Sequence, residues 1–233
     1  MLVGSSGAGR ITAMLATVGI ALVGCTTSVA GRAIPAPGQP SSTATTKVTP
    51  PKAKLPVSAH ELLLHDGDPT PLGPAAMTDI GDSYFTSVRP SECSAALLFK
   101  GSPLRPPGST DYADSAYSFG TTAMYSESVD VYDTALNAHD VVWEGFRAVS
   151  QCTGDATGVA PLGDFGPMRL TQFGVAADGV LVWTMTRSDW TCDYGLAVTP
   201  RAALMLTLCD HEPKLRMADW ASTRREQLLG RAA

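Results

Sequence analysis

Apolar positions in this chain recur at two spacings, and together these predict most of its elements. Ala135, Ala138, Val142, Phe146 and Val149 follow one another at steps of three and four, so residues 134–151 read as an amphipathic helix capped by Asp133. Residues 213–229 read as a closing helix with Met217, Trp220, Ala221 and Leu228 on its buried side. Ser58-Ala59-His60-Glu61 is a capping box that opens a short helix through His65, and Pro90-Ser91-Glu92-Cys93 starts another. Residues 128–132 alternate as a half-buried strand does. Residues 168–174 and 180–187 read as strands joined by a turn at Asp178-Gly179, and 192–198 with 203–209 as a second pair. Within 180–187, Leu181, Trp183 and Met185 share one face while Val180, Val182 and Thr184 share the other. Two largely apolar faces predict a central strand that is covered on both sides or borders a cavity. Strands and helices do not alternate strictly, which predicts an antiparallel α+β fold.

The start of the chain follows another logic. After Arg10, residues 11–23 form an uncharged, largely apolar run. A membrane-spanning helix needs about 20 apolar residues, so this run is too short and fits the core of a secretory signal peptide. Leu22-Val23-Gly24-Cys25 resembles a bacterial lipobox, which implies cleavage before Cys25 and a diacylglycerol on its thiol. Two or three acyl chains would hold the protein stably on the outer face of the cytoplasmic membrane. Residues 26–54 are rich in Ser, Thr, Ala and Pro and lack apolar periodicity, so they predict an extended tether. The organisation expected is therefore a signal sequence over 1–24, a lipidated cysteine and tether over 25–55, and a folded domain over 56–233.

Charge sharpens that division. The whole chain has 17 Lys and Arg against 22 Asp and Glu. Its first 56 residues hold five of the basic residues and no acid, leaving 12 basic and 22 acidic residues beyond them, a net charge of −10. That balance excludes nucleic-acid binding driven by net positive charge. An apolar fraction of 44% excludes disorder of the whole.

Four cysteines remain beyond Cys25: Cys93, Cys152, Cys192 and Cys209. An exported protein meets an oxidising compartment, so two disulfides are expected. A hairpin symmetric about Thr199-Pro200-Arg201-Ala202 places Cys192 directly opposite Cys209, within disulfide reach. Cys93 with Cys152 follows by elimination. No CxxC spacing supports metal ligation by these thiols.

Lipobox, Pro/Thr tether and four-cysteine domain together resemble mycobacterial lipoproteins with a PknH-like extracellular domain, the sensor of certain receptor Ser/Thr kinases. The resemblance covers about residues 56–231. It is carried by Pro90-Ser91-Glu92-Cys93, the helix from Asp133 ending at Cys152, Trp190-Thr191-Cys192, and the run from Leu204 to Cys209. It implies a twisted antiparallel sheet flanked by helices, the same disulfide pairing, a cleft for an unidentified ligand, and no catalytic set.

Other motifs reduce to structure. Asp164-Phe165-Gly166 spells the kinase metal-binding triplet, but no kinase motif precedes it, and it reads as a Gly-containing turn. His60 and His65 stand about 140° apart on a helix and cannot share a metal there, whereas i, i+4 ligands stand about 40° apart. Asp66-Gly67-Asp68 reads as a turn, and Asp210-His211-Glu212 as a solvated connection placing a carboxylate near the last helix. No cofactor or metal is implied. For a ligand, Trp143 at the edge of its helix stripe and Trp183 on the central strand are expected to line a mostly apolar cleft suited to a lipid or other amphipathic envelope molecule. The function expected is that of a lipid-anchored, extracytoplasmic, ligand-binding or sensor-like protein without catalysis. A cell-envelope hydrolase, or a scaffold for another envelope protein, are the alternatives.

Overall fold

The computed structural model describes residues 57–232 other than Ile80 and Asp82. The expected signal sequence, Cys25 and the tether lie outside the described residues. Along the chain run α1 (Ala59–Leu62), β1 (Pro69–Thr70), β2 (Gly73–Pro74), β3 (Met77–Thr78), β4 (Ser87–Arg89), a 3₁₀ turn (Ser91–Cys93) and α2 (Ser94–Leu97). There follow β5 (Asp111–Phe119), β6 (Ala123–Val131), α3 (Ala138–Ser150), β7 (Asp155–Ala160) and β8 (Gly163–Ala177). The chain closes with β9 (Val180–Arg187), β10 (Trp190–Val198), β11 (Ala202–Asp210) and α4 (Met217–Ala232). Nine strands form one sheet in the order β3-β5-β6-β11-β10-β9-β8-β7-β4, and every neighbouring pair is antiparallel. Register shifts opposite Ala156/Gly158 and at Leu170/Gln172 and Val175/Ala177 each place an extra residue in β8, which kinks that strand and raises its twist. The fold is α+β, dominated by this curled sheet.

The sheet separates two cores. Odd positions of β6 and even positions of β11 (Tyr125, Val129, Leu204, Leu206, Leu208) pack under α1 and α4 with Trp220, Ala221 and Leu228. On the other face Leu181, Trp183 and Met185 of β9 and Cys192, Tyr194 and Leu196 of β10 pack under α2 and α3 with Val142 and Val149. Period-two alternation thus sends apolar residues to both faces, and the central strands read as near-continuous apolar runs. α4 can approach closely because Gly195 has no side chain; a Cβ there would meet Ala221 at 3.2 Å and Met217 Sδ at 3.3 Å.

Two disulfides are present, Cys93–Cys152 and Cys192–Cys209. The first joins the start of α2 to the end of α3. The second spans β10 and β11, whose register sets Cys192 opposite Cys209 and Val198 opposite Ala203.

Several boundaries differ from the sequence reading. α3 begins at Ala138, not 134, and its cap is Asn137, whose side chain accepts from the Asp140 amide at 3.4 Å. The residues before it are held elsewhere: the Tyr132 amide donates to the Arg201 carbonyl and the Leu136 amide to that of Pro200. α1 ends at Leu62, so His65 lies outside it. α4 begins at Met217, leaving Asp210 and Glu212 away from its N-terminus, with Asp219 in its first turn. Asp164-Phe165-Gly166 is not a turn; it lies within β8, and the turn is made by the two residues before Gly163.

Candidate binding cleft

Two adjacent rungs of the sheet ladder form the floor of a cleft of about 380 Å³ on the α2 and α3 face. One rung is Cys192, Cys209 and Met124; the other is Tyr194, Thr207 and Ser126. The walls come from loops. Tyr84 and Phe85 precede β4, Phe99 and Lys100 follow α2, and Leu162 and Phe165 belong to the β7–β8 hairpin. Trp190, the first residue of β10, completes the ring.

These walls hold one another. The Phe85 and Phe165 rings lie 5.9 Å apart. Phe85 also packs against Gly158 on β7, where an added Cβ would lie 2.5 Å from its ring. Trp190 meets the His211 ring edge-on at 4.9 Å, and His211 Nδ1 lies 2.6 Å from the Asp189 carbonyl, which orients that imidazole. On the floor, burial pushes the Tyr194 phenol well up, so it stays neutral, and its hydroxyl donates to the Leu97 carbonyl at 3.5 Å.

Charge among the described residues of the cleft lining is sparse, one carboxylate and one ammonium group. Asp164 is the carboxylate in the lining, and Arg89 pairs with it. Lys100 places Nζ 4.8 Å from the centroid of the Tyr84 ring, and among the described residues no carboxylate pairs with it. The Arg187 guanidinium covers the Phe165 ring at 4.2 Å and pairs with Asp189. An aromatic interior with hydroxyls on its floor and one uncompensated cation at its lining can accept an apolar chain and an anionic or hydroxylated head. Among the described lining residues there is no histidine, and the one carboxylate pairs with Arg89.

Both tryptophans expected at the site are elsewhere. Trp183 is only 1% exposed; it stacks on Tyr194 at 5.2 Å and donates Nε1–H to the Ala96 carbonyl at 2.8 Å, so α2 seals it into the core. Trp143 is 39% exposed on the outer side of α3, against Phe146 and His139, and is not part of the cleft lining. The 100° step beyond Val142 carries it past the stripe and away from the sheet. Trp190 takes the role. Its signal was available, since alternation along Trp190-Thr191-Cys192 sets Trp190 on the same face as Cys192. The other polar motifs are structural: Asp66 Oδ1 accepts from the Met77 amide at 3.0 Å and Asp68 Oδ2 from that of His65 at 2.8 Å.

No protein-family model matches the chain. It is, however, 55% identical over 215 residues to the protein named "Putative lipoprotein LprH" of Mycobacterium tuberculosis, covering 92% of this chain and 91% of that protein. The LprH protein of Mycobacterium bovis matches to the same extent. The chain belongs to the LprH lipoprotein family. Among solved structures, the extracellular domain of PknH from Mycobacterium tuberculosis superposes with a TM-score of 0.53 over 63% of this chain and 81% of that one. At 13% identity that likeness concerns the fold. The LprH family therefore carries the architecture that the cysteine pattern suggested, and no helix among the described residues is long and apolar enough to cross a membrane.

Proposed function

We propose that this LprH-family protein is a lipid-anchored, extracytoplasmic binding protein whose cleft takes an amphipathic molecule of the cell envelope. In this reading residues 1–24 direct export, Cys25 carries the lipid, 25–55 form the tether, and 56–233 form a PknH-like sensor domain without catalysis. The observation that carries the binding role is the 380 Å³ cleft ringed by Phe85, Phe165 and Trp190 over a floor containing Ser126 and Thr207. Lys100 supplies a site for a negatively charged head, and the aromatic walls a site for a chain.

Two experiments test the two halves. Replacing Cys25 with Ala should release the protein from the membrane fraction; unchanged partition into detergent would exclude lipidation there. For the cleft, oleate should quench the fluorescence of the intact protein, and Leu162→Glu should weaken that response about tenfold, since Leu162 is 76% exposed at the mouth and its replacement spares the core. Equal oleate binding by parent and variant would remove the cleft as the site.

A further inference from the structure

We propose that the Cys192–Cys209 disulfide is a thiol-exchange site, at which a small thiol entering the cleft becomes bonded to Cys209. The two bridges of the domain are differently placed. Cys93 is fully buried and Cys152 nearly so, and neither belongs to the cleft lining. Cys192 and Cys209 both line it, and Cys209 is half-buried. Disulfides that a thiolate can reach are the labile ones, whereas sealed ones resist exchange.

The surroundings decide which sulfur is met and by what. On the rung that carries the bridge, Met185 of β9 flanks Cys192 and is fully buried. Met124 of β6 flanks Cys209 and lines the cleft. An entering group therefore reaches Cys209 Sγ first. The attacking form of a thiol is its thiolate, and the Lys100 ammonium in the lining favours an anion there, while Asp164 is held by Arg89. A space of about 380 Å³ admits a thiol of low molecular weight.

The chemistry closes with thiols alone. A thiolate attacks Cys209 Sγ, the new S–S bond forms as the old one breaks, and the electron pair leaves on Cys192 Sγ, which takes a proton. The Cys192 thiolate can later attack Cys209 Sγ and expel the small thiol. Alternatively, a second thiolate attacks the bound thiol's own sulfur, which releases a small-molecule disulfide and leaves both cysteines reduced. The strands keep their places meanwhile, because β10 and β11 pair from Thr191 opposite Asp210 to Val198 opposite Ala203, and β9 and β6 flank them. The two sulfurs stay opposed, so the bridge can re-form. The exchange requires the cleft and not the amphipathic ligand proposed for it.

The test incubates the full-length protein in detergent with N-acetylcysteine, quenches with iodoacetamide and maps the peptides by mass spectrometry. The adduct is expected on Cys209, with Cys192 alkylated, Cys93–Cys152 intact and circular dichroism unchanged. Lys100→Glu should slow adduct formation about tenfold. No amphipathic ligand is present, so the outcome is independent of whether oleate binds. The proposal is overturned if Cys93–Cys152 opens first or at the same rate, or if the adduct sits on Cys192. Exchange that occurs only in urea that unfolds the domain, or that is as fast in Lys100→Glu as in the parent, overturns it equally.

Discussion

Arg224 of α4 and Glu127 of β6 face each other with no solvent access to either side chain, the guanidinium Nε 2.7 Å and one terminal nitrogen 2.9 Å from the carboxylate oxygens. Further hydrogen bonds surround the pair. Glu127 accepts from the Tyr125 hydroxyl and the Leu64 amide, and Arg224 donates to the Leu62 carbonyl and to Gln227. Removing one partner leaves an uncompensated buried charge, which costs about 3–5 kcal/mol, whereas replacing both with apolar residues is far milder. Arg224→Met should therefore lower the urea midpoint sharply, and the double variant Arg224→Met/Glu127→Leu should recover most of it. Equal midpoints for single and double variants would refute the pair as the source.

Burial also sets how the domain meets alkali. It pushes the phenols of Tyr112 and Tyr117 up to about 12 and those of Tyr125, Tyr132 and Tyr194 further up, with Glu127 adding to the effect at Tyr125. Above about pH 10, where the unfolded chain loses these protons, the folded state still holds them. Stability is thus fully present below that pH and falls as pH rises through the folded values. A phenolate absorbance titration should show these phenols ionising late and together with unfolding. Early, independent ionisation of all of them would contradict their burial.

Gly158→Ala tests the cleft wall. A methyl group 2.5 Å from the Phe85 ring forces that ring to move, and Phe85 is packed on Phe165. Oleate affinity should fall about tenfold, with a loss of stability near 1 kcal/mol from overpacking. Full affinity in the variant would show that Phe85 does not shape the site.

The two disulfides should differ in weight. They enclose loops with separations of 59 and 17 residues, and in the chain-entropy account the longer adds about 4 kcal/mol and the shorter about 3. Removing Cys93–Cys152 by paired alanine substitution should cost more in urea unfolding than removing Cys192–Cys209, while only the latter, on the cleft floor, should alter oleate binding. The reverse order of stability would point to strain or residual structure instead.

What could be read beforehand depended on whether a signal was local. The β10–β11 hairpin was legible because turn, alternation and cysteine positions all gave one register, the one observed. β9 was legible as a strand covered on both faces, and Met217, Trp220, Ala221 and Leu228 are all buried. The α3 cap was misplaced because Asp133 is a good capping residue, yet the segment before Asn137 bonds to the distant β10–β11 turn. Arg224 went unread although it sits in the apolar stripe of α4, since only the tertiary structure brings Glu127 to it. The cleft was expected but its walls were not, because loops around residues 84, 99 and 162 converge through topology, and a tryptophan's burial depends on what covers it. Trp183 is covered by α2; Trp190 is not.

Where the domain's first residues are fastened has a mechanical consequence. The Ala59 amide donates to Asp111 on β5, the Leu62 carbonyl takes Arg224, and the Glu61 and Leu63 carbonyls take Arg231 near the end of α4. Any pull arriving along the preceding chain is thereby passed within a few residues to a sheet strand and to the last helix, rather than peeling α1 away alone. The cleft lies on the opposite face of the sheet, so tension at the point of entry can be borne without loosening its walls.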